Sequence, residues 1–436
     1  MNSELKNIKL SYTDIDFYTK LSKIRQKVIG ASELTQGQLA DLAEIIANVK
    51  QNLDLAVIEY TKKFDNVTLS CDDFLVSEEE IEKAHKQIDK GLLTSIKKSI
   101  ANVRKYQQEI FNANSKTCSN GTGIKYTPLK RIGICVPGAS APLPSTVIMT
   151  AIPAQVAGVK EIAVISPPRY KGTIHPTILA VCAELQIYEV YRIGGAQAVA
   201  ALAFGTPTVA NVDKIVGPGN QWVQNAKKMV MGQVGIDSIA GPSEVLIIAD
   251  DSANPKWVAA DLLSQAEHAP GSAILFTNSK NIADAVAKEL KSQLPLLDRA
   301  DDARECIENF GAIVTFESIE DCIAWADEFA TEHLQIQCGQ NSRRIAEKVK
   351  NAGAIFIGDY TPVATGDYFA GPSHTLPTGT SAKFFSALSS NDFVKATSII
   401  EYTKDMLTDN ATDITRLAET EGLNAHANSV NLRTQK

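Results

Sequence analysis

Four of the six histidines lie beyond residue 260, and each stands in a short polar cluster with another potential metal ligand or acid. The clusters occupy residues 264–268, 331–333, 366–368 together with 373–374, and 421–426. An imidazole both ligates metal ions and moves protons near neutral pH. The repeated pairing of histidine with Asp, Glu or Gln therefore predicts one assembled site for metal binding, acid–base chemistry or both.

The first and third clusters carry the donors that a zinc-like ion would use. Gln265 and His268 are three residues apart at the end of a predicted helix, so both can point to one side, and Asp367 lies in a glycine-containing loop. Nitrogen and oxygen donors without cysteine favour an open site over a closed structural one. Taken singly, a helix-capping His268 and an Asx-turn Asp367 are the better explanations, and the spacing to His426 matches no compact metal motif.

Glu332 and His333 are adjacent, between a predicted helix at 321–330 and a predicted strand at 334–337. A histidine at this point could act as a general acid or base near pH 7, and the neighbouring carboxylate could orient the imidazole or activate water. The alternative is a histidine that bonds the backbone at the start of a strand. The sequence alone favours neither the catalytic nor the structural interpretation of His333.

The elements that must position these residues change character along the chain. Residues from about 10 to 111 show helical periodicity. From residue 131, short β-rich runs alternate with helical segments, which is typical of parallel sheets. The predicted strands form two series, 132–136, 161–165, 189–193 and 214–216, then 244–249, 273–276, 312–316, 334–337 and 354–357. Residues 382–408 and 411–428 are predicted to be mainly helical.

Small-residue turns follow the strands of the first series. They occupy residues 137–140, 166–168, 194–197 and 217–220. These turns fall at the carboxyl ends of the strands, where open α/β sheets bind ligands. None has the G-x-G-x-x-G pattern, so the turns are equally consistent with ordinary strand-to-helix connections and do not by themselves establish a nucleotide site.

Composition narrows the class of protein. The chain has 436 residues, 44% hydrophobic and 21% charged, with a formal net charge of -7. This acidic balance favours a small-molecule ligand over nucleic acid or an anionic membrane. The seven cysteines form no C-x-x-C pair, and the chain shows neither a secretory signal nor a membrane-spanning stretch, so we expect a soluble protein of the reducing cytoplasm. His85 and His175 lack polar company and receive no role.

A set of ordered motifs closely resembles the histidinol dehydrogenase family from about residue 30 to the C-terminus. They are Arg131-Ile-Gly-Ile, Ile193-Gly-Gly-Ala-Gln-Ala, Val216-Gly-Pro-Gly-Asn, Ala240-Gly-Pro-Ser-Glu, 264–270, 331–336, 366–368, 373–378 and 421–426.

The resemblance implies oxidation of L-histidinol to L-histidine through L-histidinaldehyde, in two NAD-dependent steps with one zinc per subunit. It also implies a homodimer whose active sites are shared. Gln265, His268 and Asp367 would bind zinc together with His426 of the partner subunit. Glu332 and His333 would form the catalytic pair, with His333 as general base and Glu332 activating water. The zinc would hold the substrate in place.

The resemblance assigns binding residues as well. The implied NAD contacts are Cys135, Gln197 and Asn220. The implied substrate contacts are Ser243, Gln265, His268, His333, Asp367, His374, Glu421 and His426. The chain departs from the family at Cys135, where tyrosine is usual, and at Ala139 and Thr380, where glycine is usual. The smaller side chain at Cys135 is expected to weaken NAD binding.

The predicted fold is α/β, with two tandem, incomplete Rossmann-like parallel-sheet domains, a helical N-terminal region and a helical C-terminal tail. We expect a helical arm at 1–25, a catalytic domain formed by 26–130 and 240–380, an NAD-binding domain at 131–239, and a tail at 381–436 that packs on the partner subunit. Three alternative functions stay open. They are a paralogous zinc and NAD dehydrogenase for another primary alcohol, a metallohydrolase, and a non-catalytic metabolite-binding protein.

Overall fold

The computed structural model describes residues 8–30, 33–138, 142–268 and 271–435. The chain divides into two compact units, the first formed by Met1–Phe111 with Leu129–Phe393 and the second by Asn112–Pro128 with Val394–Lys436. No helix in the described ranges is both long and apolar enough to cross a membrane.

The strands are β1 (Lys9–Ser11), β2 (Lys116–Thr117), β3 (Thr122–Pro128), β4 (Arg131–Cys135), β5 (Glu161–Ile165), β6 (Val190–Tyr191), β7 (Lys214–Val216), β8 (Gly235–Ile236), β9 (Ser243–Ala249), β10 (Gly271–Thr277), β11 (Gly311–Thr315), β12 (His333–Gln337), β13 (Ala354–Ile357) and β14 (Val394–Ile400).

The α-helices are α1 (Phe17–Gly30), α2 (Gln36–Asn52), α3 (Asp54–Asp65), α4 (Glu78–Gln87), α5 (Lys90–Ile110), α6 (Pro144–Ala157), α7 (Pro176–Glu184), α8 (Gly195–Phe204), α9 (Gln221–Val230), α10 (Pro255–Ala266), α11 (Lys280–Gln293), α12 (Ala300–Phe310), α13 (Ile319–Phe329), α14 (Ser342–Ala346), α15 (Val363–Tyr368), α16 (Lys404–Thr420) and α17 (Asn424–Thr434). Five 3₁₀ turns span Cys71–Asp73, Leu294–Leu296, Gly339–Asn341, Ser381–Lys383 and Ser390–Phe393.

The first unit contains two parallel sheets of the same winding. The five-stranded sheet has the order β6-β5-β4-β7-β8, and the six-stranded sheet has the order β1-β11-β10-β9-β12-β13. All pairings in both sheets are parallel. Leaving β1 aside, each sheet starts at a central strand, β4 or β9, extends to one side and then reverses, as in a doubly wound sheet. In the six-stranded sheet β1 adds an edge strand beside β11. The predicted fold class is confirmed.

Apolar runs explain why these strands are central. Six of the seven residues of β9 are buried, and all seven of β10 are. Helices cover the six-stranded sheet on both faces, with α10 and α11 packing on one core cluster and α13 on the other. Strands that are buried on both faces read as continuous hydrophobic segments, which is what made both series recognisable from the sequence.

Two local predictions are wrong. The N-terminal segment predicted to be helical begins instead with β1, which pairs with β11 through Lys9 and Ile313. The helix predicted over 382–408 is interrupted by β14, which runs antiparallel to β3 in the second unit. The sequence of β14, Val-Lys-Ala-Thr-Ser-Ile-Ile, is rich in β-branched residues that prefer extended backbone. The remainder of the second unit is β2 and helices α16 and α17.

Candidate functional site

The six-stranded sheet carries its polar cluster at the amino ends of its strands. Ser243 begins β9, and Glu332 immediately precedes His333, the first residue of β12. A helix that connects parallel strands runs back along the sheet and finishes at their amino edge. For this reason α10, which ends just after Gln265, and α13, which precedes Glu332, both deliver residues to the same edge.

Glu332 is held by groups at the start of β9. Its Oε2 accepts hydrogen bonds from the Ser243 hydroxyl at 2.6 Å and from the Glu244 amide at 2.8 Å. In the reverse direction, the Glu332 amide donates to Oε2 of Glu244 at 3.2 Å, and the Gly379 amide donates to Oε1 of Glu244 at 2.8 Å. Backbone N–H groups at strand starts thus satisfy two buried carboxyl groups, as burial requires.

The ring of His333 has a fixed orientation. Its Nδ1 lies 2.9 Å from the carbonyl oxygen of Glu244, and because a carbonyl only accepts, Nδ1 carries the proton. In the neutral ring, Nε2 is then left with a free lone pair. That Nε2 is buried, has no hydrogen-bond partner and lies 3.6 Å from Oδ1 of Asp367. This is the tautomer that a general base requires.

Burial and charge act against each other on these groups. Burial lowers the pKa of His333, but the carboxylates of Glu332 and Asp367 outweigh this effect and raise it to about 9. Burial raises the pKa of Glu332 above its ordinary value. Burial, with a smaller contribution from the neighbouring Glu332 carboxylate, raises the pKa of Glu244 to about 8. The cluster therefore contains several ionisable groups that share a small number of protons.

Asp367, near the end of α15, feels the charge of three imidazoles. Burial acts to raise its pKa, yet the neighbouring rings of His333, His374 and His268 hold it below its ordinary value. The Nδ1 of His374 donates to the Asp367 carbonyl at 3.0 Å. Burial lowers the pKa of His374, so this ring is neutral near pH 7.

Gln265 lies at the same edge. Gly271 pairs with Ser243 in the sheet. The Gln265 amide nitrogen lies next to Gly271, since a Cβ added to that glycine would be 3.6 Å from it. Gln265 is 3% exposed, and this nitrogen has no hydrogen-bond partner. The structure therefore places Gln265, Ser243, Glu332, His333, Asp367, His374 and His268 along one edge of the first unit.

The five-stranded sheet has its cavity at the opposite, carboxyl ends of its strands. A cavity of about 510 Å³ lies where the winding reverses, between β4 and β7. The three residues predicted to bind NAD, Cys135, Gln197 and Asn220, all line it. So do the described residues of the predicted turns Pro137-Gly138, Gly194-Gly195 and Pro218-Gly219, together with Pro167. Ala139, predicted to depart from the family, lies outside the described residues.

Gln197 is the polar group of this cavity that has no partner. It is fully buried, and neither its amide oxygen nor its amide nitrogen has a hydrogen-bond partner. A Cβ on Gly195, whose φ is +73°, would lie 2.6 Å from that oxygen, so glycine is required there. Asn220 differs, because its Oδ1 already caps α9 by accepting from the amides of Trp222 and Val223.

A buried ion pair supports the turn after β7. Lys227 and Asp237 are 1% and 3% exposed, and Nζ lies 2.5 Å from Oδ1. Nζ also donates to the Gly217 carbonyl at 2.9 Å, while Oδ2 accepts from the Gly217 amide at 2.7 Å. Gly217 has a φ of +103°, and a Cβ there would lie 2.3 Å from the Cys135 carbonyl oxygen. The Lys227–Asp237 pair therefore binds both the amide and the carbonyl of Gly217, which lies against Cys135 at the end of β4.

The two parallel sheets are connected through the loops around the amino edge. The Ser373 hydroxyl, next to His374, donates to the Met149 carbonyl of α6 at 2.9 Å. Thr380, where the resemblance leads us to expect glycine, adopts a left-handed conformation with a φ of +70°. A β-branched residue is strained in that region, which gives a physical reason for the usual glycine.

Glu421 and His426 belong to the second unit. Glu421 follows the last residue of α16, and His426 lies in the first turn of α17, where its amide donates to the Leu423 carbonyl at 3.0 Å. Both side chains are exposed.

Sequence reasoning missed three residues that the structure puts in these places. The sequence does not single out Glu244 as a site residue, because it is the first residue of the predicted apolar strand 244–249. A carboxyl group at the start of a buried run was the available signal, since an ionisable group there requires partners. Asp65 and Arg169 line the cavity but are 104 positions apart, and no local pattern joins them.

Comparison with known proteins supports one family over nearly the whole chain. The family model for histidinol dehydrogenase matches residues 31–434. The histidinol dehydrogenase of Rhodopirellula baltica is 48% identical over 383 residues, covering 87% of this chain and 83% of the relative. That of Oceanobacillus iheyensis is 45% identical and covers 96% of both chains.

A solved structure agrees. The crystal structure of histidinol dehydrogenase from Elizabethkingia anophelis superposes with a TM-score of 0.91 at 35% identity, covering 99% of this chain and 98% of that one. With the sequence match and the fold in agreement, the chain belongs to the histidinol dehydrogenase family and is an oxidoreductase.

Proposed function

We propose that this protein oxidises L-histidinol to L-histidine through L-histidinaldehyde, with NAD as hydride acceptor and one zinc ion per subunit. The observation that carries the proposal is the ring of His333, which is oriented by the Glu244 carbonyl so that, in the neutral ring, the lone pair is on Nε2 within a buried polar cluster. Oxidation of an alcohol requires a base for the hydroxyl proton.

The two oxidations use the same pair of side chains. His333 Nε2 takes the hydroxyl proton of the alcohol as the hydride leaves its carbon, which gives the aldehyde. Water then adds to the aldehyde: Glu332 accepts a proton from the water and later releases it to solvent, while the His333 imidazolium gives its proton to the carbonyl oxygen. This yields the hydrated aldehyde and leaves His333 neutral again. Oε2 of Glu332 is engaged by Ser243 and Glu244, so Oε1 is assigned to the water. His333 finally deprotonates the hydrated aldehyde as the second hydride leaves, which gives the carboxylic acid.

Gln265, His268, Asp367 and His426 of the partner subunit would hold the zinc. Amide, imidazole and carboxylate donors suit that ion, and the amide nitrogen of buried Gln265 has no hydrogen-bond partner among the described residues. In the described ranges no three His, Cys, Asp or Glu side chains converge as a metal site, so the proposal requires both the amide and a fourth donor. When bound, zinc holds the amino and imidazole nitrogens of the substrate in place.

Gln197, Asn220 and Cys135 are the proposed NAD contacts. The two unpaired amide atoms of buried Gln197 would hydrogen-bond the dinucleotide in this cavity, and this fit supports the assignment. When bound, NAD accepts the hydride of each oxidation.

The remaining assignments concern the assembly. Ser243, His374 and Glu421 would contact the substrate together with the zinc ligands and His333. We propose a homodimer with shared sites, in which residues 131–239 bind NAD, residues 26–130 and 240–380 form the catalytic part, and residues 381–436 pack on the partner. Residues 1–25 would form an arm. A reducing cytoplasm suits the seven free thiols.

One assay tests the proposal. Purified protein receives zinc, NAD and L-histidinol, and NADH formation is followed by absorbance. Two NADH per histidinol support it, whereas one NADH indicates that the second oxidation does not proceed. Turnover of another primary alcohol, with none of histidinol, favours the paralogous dehydrogenase, and NAD-independent hydrolysis would mean a metallohydrolase.

A further inference from the structure

The cavity of the five-stranded sheet contains one pair of ionised side chains, Asp65 and Arg169. Among its described lining residues Arg169 is the only cation and Asp65 the only anion. The Nε of Arg169 donates to Oδ1 of Asp65 at 2.8 Å. The Asp65 side chain is 3% exposed and that of Arg169 is 38% exposed, so the carboxylate lies beneath the guanidinium.

The position of Arg169 is set by the turn that follows β5. Its backbone amide donates to the Pro167 carbonyl at 2.8 Å. Pro167 in turn packs on Gly194, where an added Cβ would lie 2.7 Å from its ring. Gly194 is the N-cap of α8 and has no side chain to cap the helix, so the turn that carries Arg169 packs against the positive end of the α8 dipole.

We propose that Arg169 is the binding residue for the phosphates of a dinucleotide in this cavity, with Asp65 as the residue that positions its guanidinium. The inference rests on the proposed use of NAD. A pyrophosphate carries two negative charges, and the apolar side chains of Ile45, Ile165 and Val223 in the cavity wall cannot donate hydrogen bonds to it. Arginine presents several N–H donors to phosphate oxygens, and only Nε is engaged by Asp65.

Binding of nucleotide fragments tests the proposal. ADP-ribose, which carries the pyrophosphate, and adenosine, which does not, are titrated against the intact protein by calorimetry. For Arg169→Gln we expect the affinity for ADP-ribose to fall about tenfold, since one charge-assisted hydrogen bond is lost, while that for adenosine changes less than about twofold. Lys171→Gln is the matched control, because it removes the same charge two residues along and does not line the cavity. It should bind ADP-ribose as the parent does.

A double variant shows whether Arg169 attracts the phosphates itself or only neutralises the charge of Asp65. Arg169→Gln leaves the Asp65 carboxylate without its ion-pair partner, and this charge would itself repel phosphate. In Asp65→Asn with Arg169→Gln both charges are gone, and we expect ADP-ribose binding to stay weak. Full recovery of affinity would mean that Arg169 only masks Asp65, and would overturn the proposal.

Two other results have clear meanings. Equal loss of ADP-ribose and adenosine in Arg169→Gln, or no loss of either, also overturns the role of Arg169. If the parent protein binds ADP-ribose and reduces NAD, the proposed function stands whatever the variants do. If the parent binds no nucleotide fragment, the proposed use of NAD fails first.

Discussion

The two parallel sheets of the first unit share one winding but place their polar groups at opposite ends. In the five-stranded sheet the cavity lies at the carboxyl ends of the strands, and turn backbone supplies most of its wall. In the six-stranded sheet the imidazoles and carboxyl groups gather at the amino ends, beginning with Ser243 and Glu332. Two sheets of similar topology can therefore carry their functional side chains at opposite ends of the strands.

The physical difference lies in the backbone groups that each end exposes. Strand starts present free N–H groups, and these stabilise Glu332 and Glu244 as buried carboxyl groups. Strand ends followed by glycine turns leave space for a ligand close to the backbone, as at Gly195 and Gly217. The first arrangement suits proton transfer and the second suits recognition of a large cofactor. We thus expect side-chain changes to act on turnover at one edge and on binding or stability at the other.

The largest effect is expected for His333→Asn. Removing the proposed base at the amino edge should lower kcat about 10³-fold, since general base catalysis typically contributes about 10² to 10⁴. Zinc content, measured by metal analysis, should be unchanged. His268→Asn serves as the contrast and should lose zinc. Loss of zinc from the His333 variant would instead identify His333 as a ligand.

Lys227→Met tests whether the carboxyl edge depends on its buried ion pair. Removing one partner leaves Asp237 charged and buried, which should cost roughly 3–5 kcal/mol of unfolding free energy. Urea unfolding measures this, and the exposed Lys228→Met on the same helix is the control. A variant as stable as the parent would show that Gly217 does not need the pair.

Cys135→Tyr restores the residue that is usual in the family at the cavity wall. The larger ring should stack on or hydrogen-bond the dinucleotide and lower the Kd for NAD about fivefold, equivalent to about 1 kcal/mol. Cys135→Ala is the matched control and should raise the Kd less than about twofold, because burial raises the pKa of this thiol to about 12 and an uncharged thiol makes only a weak contact. An unchanged Kd for the tyrosine variant would contradict the expectation.

Thr380→Gly should have the smallest effect. Relief of a left-handed β-branched residue gains about 1–2 kcal/mol, and glycine loses roughly 0.5–1 kcal/mol in backbone entropy, so a net gain of about 1 kcal/mol is expected. Urea unfolding measures it. Thr380→Ala keeps the Cβ and should gain less. A glycine variant that is less stable than the parent would show that the Thr380 side chain makes a compensating contact.

Much of the fold was accessible from the sequence because strands buried on both faces form apolar runs that stand out against amphipathic helices. The failures came where this signal is weak. Strand β1 has three residues, and β14 is mostly exposed, so neither forms a buried run. The candidate site residues came from the resemblance to a family. The distances between them along the chain match no compact motif, whereas the short motifs that contain them occur in the order typical of that family.

The sequence by itself determined which residue types were available, namely histidines paired with acids and amides, glycine turns after strands, and an acidic chain without a disulfide pattern. Only the tertiary structure decided the tautomer of His333, the partners of Glu332, the unpaired state of Gln197 and the pairing of Asp65 with Arg169. These depend on contacts between residues far apart in the chain. Their positions follow from how parallel strands and their returning helices bring distant ends to one edge.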